Sequence, residues 1–315
     1  MNNVGCGHIP VLLNEVLNGL NLQPAGSYMD CTFGRGGHSE AILQYIGEQG
    51  RLLAIDKDPD AIRSAGAHLV SDPRFQLVQG TFAELDHLLV ENEMGTKIDG
   101  VLFDLGVSSP QFDNPGRGFS FQRDGVLDMR MNTGNDDLTA ADWLNGARED
   151  DIADVLFRYG EERYARRIAG KIVRERVNNP IYSTVQLADL VKSVCPIGKK
   201  REKHPATKTF QAIRIFINRE LDELEKALPQ VINILKPGGR LVVISFHSLE
   251  DRIVKRFIRN ESRGNQYPPE VPVTQELLCP RLKSVGKAIR PTLNEVERNP
   301  RARSAILRIA ERCSA

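Results

Sequence analysis

The fold of this chain is decided by the stretch Asp30-Cys31-Thr32-Phe33-Gly34-Arg35-Gly36-Gly37-His38-Ser39. It follows a short strand-like segment and precedes an apolar pattern that predicts a helix over residues 38–46. Glycines between a strand and a helix let a ligand approach the backbone closely, and the helix N-terminus favours a negatively charged group. A tight turn without any ligand is the other interpretation, because a glycine-rich loop alone is weak evidence.

The same succession of strand, loop and helix continues on both sides of this loop. Residues 52–55, 75–78 and 101–103 are short, almost wholly apolar segments, and each predicts a buried strand. Asp58 before Pro59 marks a helix start between two of them. Repeated units of this kind are typical of a parallel sheet covered by helices on both faces. We therefore predict a doubly wound α/β domain.

The alternation stops after Asp104, and a long helical stretch follows. From Thr139 to about Leu235 the apolar periodicity is helical, and the next strand-like segment is residues 240–244. An ordinary strand–helix–strand unit takes only about 30 residues. We therefore predict an inserted all-α domain at residues 109–214 and a discontinuous sheet domain of residues 1–108 and 215–315. Residues 304–309 predict a last strand, antiparallel at the sheet edge.

The composition excludes several classes of protein. The 315 residues are 41% hydrophobic, which is enough to bury a sizeable core and excludes a disordered chain. No apolar run approaches the roughly 18 residues of a membrane helix, and no Lys or Arg precedes Arg35, as a signal or transit peptide requires. The five cysteines form no CxxC pair, so we expect no structural zinc and no other metal. We expect a cytoplasmic protein.

Two features of the glycine-rich loop discriminate between cofactors. A dinucleotide-binding loop reads GxGxxG, but the third glycine counted from Gly34 would fall at Ser39. Asp30 would repel a pyrophosphate, whereas it suits a cation. A sulfonium cofactor with an amine and a carboxylate therefore fits better than a nicotinamide dinucleotide.

Two further carboxylates are predicted at the same edge of the sheet. Asp56 ends the second strand, 26 residues after Asp30, near the offset at which a carboxylate binds a ribose diol. Asp104 ends the fourth strand. Because ligands of open α/β sheets bind at the carboxyl ends of the strands, we expect the three carboxylates to face one crevice. Phe82 follows the third strand and could cover an adenine, although the residues alone favour a core position.

Together these segments resemble the Rossmann-like class of methyltransferases that use S-adenosylmethionine (SAM). More narrowly, the chain resembles the RsmH (MraW) family throughout its length. The resemblance is carried by the glycine-rich loop, by Leu235-Lys236-Pro237-Gly238-Gly239-Arg240, by His204-Pro205-Ala206-Thr207-Lys208-Thr209-Phe210, and by residues 8–13, 104–111, 117–121, 127–131, 245–252 and 299–304.

The resemblance implies an activity, a substrate and a set of cofactor residues. The family transfers a methyl group to the exocyclic N4 amine of a decoding-centre cytidine in bacterial 16S ribosomal RNA (rRNA), within the small ribosomal subunit. The SAM contacts carried over by motif are Gly36, Gly37, His38, Asp56, Phe82, Asp104 and Gln111. For Phe82 this replaces the core interpretation. No membrane partner is expected, and the sequence leaves a monomer and a homodimer open.

The chemistry points to Asp104 as the candidate catalytic residue. Many amine methyltransferases of DNA bases place (D/N/S)PP(Y/F) after the fourth strand, to accept the amine hydrogens and to stack on the base. This chain reads Asp104-Leu105-Gly106-Val107 there. Either Asp104 and nearby carbonyl groups act alone, or the inserted domain supplies the missing acceptor and stacking groups. Phe119, Phe121 and Trp143 are the candidate stacking residues, although each is more often core.

Basic residues in two places predict contacts with RNA phosphates. The predicted RNA-binding residues are Lys199, Lys200, Arg201, Lys203, His204, Lys208, Arg301 and Arg303. A further basic group at residues 158–176 is equally consistent with a solvated helix face, because Glu161, Glu162 and Glu175 partly compensate its charge. His247 and Ser248 resemble hydrolytic residues, but no GxSxG precedes them, and we predict that Ser248 caps a helix.

Three other functions stay open on the sequence alone. The first is a SAM-dependent methyltransferase that acts on a different RNA, a small molecule or a protein. The second is a nicotinamide-dependent oxidoreductase, which Ser39 and Asp30 disfavour. The third is a non-catalytic RNA-binding protein that keeps the fold.

Overall fold

The computed structural model describes residues 10–135, 137–195, 204–264 and 278–314. It divides the chain into two compact units. The sheet unit comprises Met1–Gly106 and Leu221–Ala315, and the helical unit comprises Val107–Glu220.

The sheet unit is built on a seven-stranded sheet. Its strands are β1 Ser27–Asp30, β2 Arg51–Asp56, β3 Phe75–Gln79, β4 Ile98–Asp104, β5 Leu235–Ser245, β6 Leu282–Ser284 and β7 Ile306–Arg312, in the order β3-β2-β1-β4-β5-β7-β6. The first five pair in parallel, and β7 is antiparallel to both β5 and β6. The predicted α/β class is therefore confirmed. The last strand is antiparallel as predicted, but its position at the edge is wrong, because β6 pairs with its outer side.

Helices follow most of the predicted segments closely. They are α1 Leu13–Leu20, α2 Gly37–Tyr45, α3 Pro59–Arg63, α4 Ala67–Val70, α5 Leu85–Glu91, α6 Ser109–Asp113, α7 Ala140–Gly146, α8 Glu149–Gly160, α9 Ala165–Arg176, α10 Thr184–Val194, α11 Thr207–Asn218, α12 Glu220–Ile234, α13 Ser248–Arg263 and α14 Leu293–Arg298. Within the described residues, no helix has the length and apolar character needed to cross a membrane.

The sheet is covered on both faces, as its apolar strands require. Leu53 and Ile55 of β2 lie in one apolar cluster with side chains of α5, α12 and α13. Leu52 and Ala54 lie in a second cluster with side chains of α1 and α2. Successive side chains of a strand point to opposite faces, so a strand buried on both sides must be apolar at every position. This is why the segments read as unbroken apolar runs.

The helical unit has an apolar core of its own, which sets its second boundary. Phe210, Ala212 and Ile213 of α11 are buried in the same cluster as Trp143 and Ile168. The whole of α11 therefore belongs to this unit, which ends at Glu220 rather than at the predicted residue 214. The first boundary follows Gly106, two residues before the predicted one.

Two local predictions are corrected by capping geometry. Between Asp104 and Thr139, where no helix was predicted, the chain forms α6, which Ser108 and Gln111 cap reciprocally. The N-cap of α13 is His247 rather than Ser248, because the Glu250 N–H donates to His247 Nδ1 (3.4 Å). Ser248 is the first residue of that helix.

Candidate functional site

The strand register places two of the three predicted carboxylates further along the sheet than the third. Asp30 pairs with Ala54 on β2 and with Leu102 on β4. Asp56 and Asp104 each lie two residues beyond those partners, which is about 7 Å along the strands. The carboxyl edge is therefore stepped, with Asp30 recessed between its two neighbours.

Asp30 organises the glycine-rich loop instead of facing a crevice. Its side chain is buried, and its two carboxylate oxygens accept hydrogen bonds from the Thr32 N–H (3.1 Å) and the Ser39 Oγ–H (2.7 Å). Burial raises the pKa of this carboxyl group above its ordinary value. The expectation that Asp30 lines the ligand crevice is thus wrong. Ser39, which breaks the dinucleotide pattern, is the residue that holds Asp30 in place.

Asp56 stays at the accessible edge and braces the same loop. Its Oδ2 accepts from the Gly34 N–H (2.8 Å) and its Oδ1 from the Asp58 N–H (2.9 Å). Asp58 caps α3 by accepting from the Asp60 N–H (2.9 Å), as predicted. Burial raises the pKa of Asp56 to about 6. Each carboxylate oxygen can accept a second hydrogen bond, so Asp56 can still bind a diol.

Asp104 carries a buried acceptor without a partner at this edge, as does the Oγ of Ser245 at the end of β5. Its backbone N–H donates to Thr32 Oγ1 (2.6 Å), which ties β4 to the loop. Its side chain is 25% exposed, yet Oδ1 is inaccessible and has no hydrogen-bond partner. Burial raises the pKa of Asp104 to about 6, opposed by His38, whose Nδ1 lies 3.6 Å from Oδ2. A buried acceptor without a donor indicates a missing hydrogen-bonding group.

His38 is held in one tautomer by its other nitrogen. Its ring is buried, and Nε2 lies 3.0 Å from the carbonyl oxygen of Val11. A carbonyl oxygen can only accept, so Nε2 carries the hydrogen and Nδ1 of the neutral ring is the acceptor that faces Asp104. The ring of His38, near the start of α2, therefore lies in a fixed orientation beside the Asp104 carboxylate.

The loop glycines are required by its conformation. Gly36 has a φ of +78°, and a Cβ built there would lie 2.7 Å from the Phe33 ring. A Cβ at Gly37 would lie 2.5 Å from Pro10 Cγ. Both positions therefore favour glycine for steric reasons, and the turn brings backbone N–H groups towards the sheet edge.

Two of the predicted SAM contacts, Phe82 and Gln111, lie in different units of the structure. Phe82 is half-buried and packs edge-on against Phe103, with ring centroids 5.6 Å apart, close to its core interpretation. Gln111 lies in the helical unit, where its Oε1 accepts from the Ser108 N–H (2.9 Å). Their contacts with a cofactor remain predictions.

Half of the predicted RNA-binding residues can be located. Lys199, Lys200, Arg201 and Lys203 lie outside the described residues. His204 is exposed beside the Phe121 ring, with centroids 4.6 Å apart, and Lys208 is exposed while its Nζ donates to the Glu161 carbonyl (2.8 Å). Arg301 and Arg303 are exposed in the sheet unit, on the 3₁₀ turn Pro300–Ser304.

Two of the three candidate stacking residues belong to the core. Phe119 and Trp143 are buried, and Trp143 packs against Phe216 with centroids 4.6 Å apart. Phe121 is half-buried between His204 and Phe210. A stacking role for Phe119 or Trp143 is therefore wrong for this conformation, since neither ring has a face open to a base.

The edge formed by Asp56, Asp104 and the loop glycines suits a cation rather than a phosphate. Three carboxyl groups, including recessed Asp30, give it a negative potential, and burial strengthens their interaction with any positive charge. SAM supplies a positively charged sulfonium with a transferable methyl group. Asp56 would hold its ribose, and the Asp104 carboxylate, which is 25% exposed, would accept from a donor group of the cofactor or of the substrate. It was not predicted from the sequence that Thr32 and Ser39 hold these carboxylates in place. Their position in the glycine-rich stretch was the only sequence feature that pointed to such a role.

The raised pKa values predict a pH-dependent affinity for SAM. Asp56 and Asp104 bind a cation and hydroxyl groups best when ionised, so below pH 6 a proton must leave as the ligand binds. We expect the Kd to rise as the pH falls below 6, by at most about tenfold per pH unit for each carboxylate involved. Calorimetry at pH 5 to 8, in buffers of different ionisation enthalpy, measures both affinity and proton release. A constant Kd over this range would contradict the prediction.

A family model and a known protein match nearly the whole of this chain. The family model described as the MraW methylase family matches residues 5–313. The ribosomal RNA small subunit methyltransferase H of Idiomarina loihiensis is 54% identical over 307 residues, 97% of this chain and 96% of that protein.

Solved structures are also similar, at much lower identity. An rRNA methylase from Streptococcus thermophilus is 11% identical over 98% of this chain and 100% of that chain, with a TM-score of 0.44. A Streptococcus mutans protein in complex with SAH is 11% identical over 97% of this chain and 99% of that chain, with a TM-score of 0.41. Because these TM-scores are low, the family of this chain is assigned from the family model and from the 54% identical protein.

Proposed function

Because the chain belongs to the MraW methylase family, we propose that it transfers a methyl group from SAM to the exocyclic N4 amine of a cytidine in 16S rRNA. The 54% identity to a small-subunit rRNA methyltransferase over 97% of the chain is the main support. The cytidine amine, the decoding-centre position and the assembled small subunit are the finer parts of the proposal. The protein would act in the cytoplasm, where ribosomal subunits mature in bacteria.

The buried Oδ1 of Asp104 is the structural observation that supports amine chemistry. The nitrogen lone pair of a cytosine amine is delocalised into the ring, so the amine is a weak nucleophile. An acceptor that binds an amine hydrogen draws the nitrogen out of the ring plane and localises its lone pair. Asp104 has such an acceptor at the edge where the cation would bind, and no described residue uses it. Positioning and charge would supply most of the rate acceleration.

No metal is needed for this step. The electrophile is already activated by the charge on sulfur, so the protein's task is to orient the amine and the donor and to exclude water. Thr32 keeps the Asp104 backbone in place, and the His38 ring lies 3.6 Å from its carboxylate. The protonated product amine is a much stronger acid than its parent and can release its proton to an ionised carboxylate or to water.

The proposal predicts methylation of a single cytidine that depends on this protein. Purified protein, SAM with a labelled methyl group and small subunits from cells lacking the protein should give labelled N4-methylcytidine in a decoding-centre fragment of 16S rRNA. Mass spectrometry of nuclease fragments identifies the nucleotide. Parallel reactions with protein-free 16S rRNA and with a mixture of nucleosides distinguish subunit, RNA and small-molecule substrates.

Cells provide the decisive control. If rRNA from cells lacking the protein keeps the same methylation at the decoding-centre cytidine, the proposed substrate is wrong. Label in another RNA or in protein would move the activity to the alternative methyltransferase function.

A further inference from the structure

Three exposed arginines without a described ion-pair partner lie close together at the start of α9. Residues 158–176 carry seven basic and three acidic side chains. Two of these basic side chains have a carboxylate partner, Arg158 with Asp154 (2.7 Å) and Lys171 with Glu175 (3.1 Å), as has the nearby Arg148 with Asp151 (2.9 Å). Arg163, Arg166 and Arg167 are exposed, and no described carboxylate lies within ion-pair distance of them.

A tyrosine ring orders two of these guanidinium groups. Arg163 Cζ lies 5.9 Å and Arg167 Cζ 5.5 Å from the centroid of the Tyr164 ring. The Tyr164 N–H donates to Oε1 of buried Glu162 (2.9 Å), which fixes the tyrosine backbone. Guanidinium groups held over an aromatic ring lose less conformational entropy when they bind an anion.

The local backbone adds to the positive potential. α9 begins at Ala165 without an acidic residue in its first turn, and the one carboxylate bonded to its N-cap, that of Glu162, is buried, whereas the arginines are exposed. Lys208 donates to the carbonyl of Glu161, two residues before Arg163, which brings a predicted RNA-binding lysine to the same place. Arg174 is two turns further along, but its guanidinium lies near Glu149 beside Gly170, so we leave it out.

We propose that Arg166, together with Arg163 and Arg167, which Tyr164 orders, forms a phosphate-binding surface for the RNA substrate next to Lys208. We call it the α9 arginine cluster. Guanidinium groups bind phosphate oxygens bidentately, and ordered exposed arginines without acidic partners are poor for stability but suited to a polyanion. The inference rests on the proposed RNA substrate. An acidic protein surface is the competing occupant.

The test compares RNA affinity over a range of salt concentrations. A fluorescein-labelled transcript of the decoding-centre region is titrated with wild-type protein and with Arg163→Ala/Arg166→Ala/Arg167→Ala, between 50 and 200 mM salt. Loss of three phosphate contacts should lower the slope of log K against log salt by about 2 to 3. The matched control Arg148→Ala/Arg158→Ala removes two arginines of the same unit that already have acidic partners. It should leave the slope near that of the wild type.

The outcomes separate the inference from the proposed function. SAM affinity and the thermal midpoint of the triple variant should equal those of the wild type, because the cluster lies in the helical unit and is exposed. A wild type that binds the transcript together with a triple variant of unchanged slope would overturn the cluster alone, and would favour the acidic protein surface. A wild type that binds no RNA would overturn both.

Discussion

Replacing Asp104 with asparagine is expected to stabilise the ligand-free protein at neutral pH while it abolishes SAM binding and methyl transfer. The pKa of Asp104 is about 6 in the folded protein, against about 3.9 in an unfolded chain. Between these values the folded state binds more protons than the unfolded state, so the free energy of unfolding falls as the pH rises through this window. An asparagine side chain does not titrate, so the variant does not lose this free energy of unfolding. At pH 7.5 its free energy of unfolding should exceed that of the wild type by at most about 3 kcal/mol.

The measurement is thermal unfolding with and without SAM at pH 5 and pH 7.5. The variant should have a midpoint a few degrees above the wild type at pH 7.5, with a smaller difference at pH 5, and SAM should no longer raise it. Asp86→Asn, an exposed acid on α5, is the matched control and should change neither value. A lower midpoint at pH 7.5 would show that the ionised carboxylate stabilises the fold.

Methyl transfer by a further variant, Asp104→Ala, measured together with its SAM affinity, tests the catalytic assignment separately. Asp104→Ala also removes the acceptor that we place near the reacting amine, so turnover should fall by a factor of 100 or more, comparable to the loss of a single transition-state hydrogen bond of about 3 kcal/mol. Normal turnover with intact SAM binding would remove Asp104 from the chemistry.

Replacing Asn218 with alanine is expected to cost the helical unit about 3 kcal/mol or more. The buried amide accepts from the Met131 N–H (2.6 Å) and donates to the carbonyl groups of Met129 (2.7 Å) and Arg214 (2.9 Å). Met129 is a buried residue with a φ of +62°, a conformation that side chains other than glycine rarely adopt. Alanine would leave several buried backbone groups unpaired and release this strained turn.

Urea unfolding measures the loss in the free energy of unfolding, and two further variants serve as comparisons. Asn218→Asp keeps an acceptor for Met131 but has no N–H for Met129, so it should also destabilise the unit. Asn179→Ala replaces an exposed asparagine and should change the free energy of unfolding by less than about 0.5 kcal/mol. SAM affinity should persist in Asn218→Ala, because the carboxylate site lies in the sheet unit. An unfolding free energy equal to that of the wild type would mean that water replaces the amide.

Much of the fold could be predicted because local patterns agree with the tertiary arrangement. β2 and β4 each contain an unbroken apolar run, residues 52–55 and 101–103, and end in an aspartate, which is enough to recognise buried parallel strands and the edge where ligands bind. The stretch predicted to be helical, from Thr139 to about Leu235, contains α7 to α12, since capping residues and apolar periodicity are local properties. The cap that Asp58 provides for α3 could be predicted for the same reason, because it depends on neighbouring residues only.

Features that depend on partners distant in sequence were not accessible in this way. The cap of α13 was assigned to Ser248 because serine is a preferred cap, whereas the reciprocal bonds between His247 and Glu250 decide it. The position of β6 beyond β7 could not be inferred from a three-residue strand. The aromatic residues Phe119 and Trp143 gave no signal that separates a base platform from a core side chain.

The amino-acid pattern alone determined the doubly wound sheet, the helical insertion, the preference for a sulfonium over a pyrophosphate, and the aspartates at the strand ends. Only the tertiary structure decided which hydrogen bonds each carboxylate makes. Strand register recesses Asp30 and gives both its oxygens to the loop, while Asp104 keeps a buried oxygen without a donor. The reason is physical: residue type and spacing determine local structure, but hydrogen-bond satisfaction depends on which strands and loops meet in space.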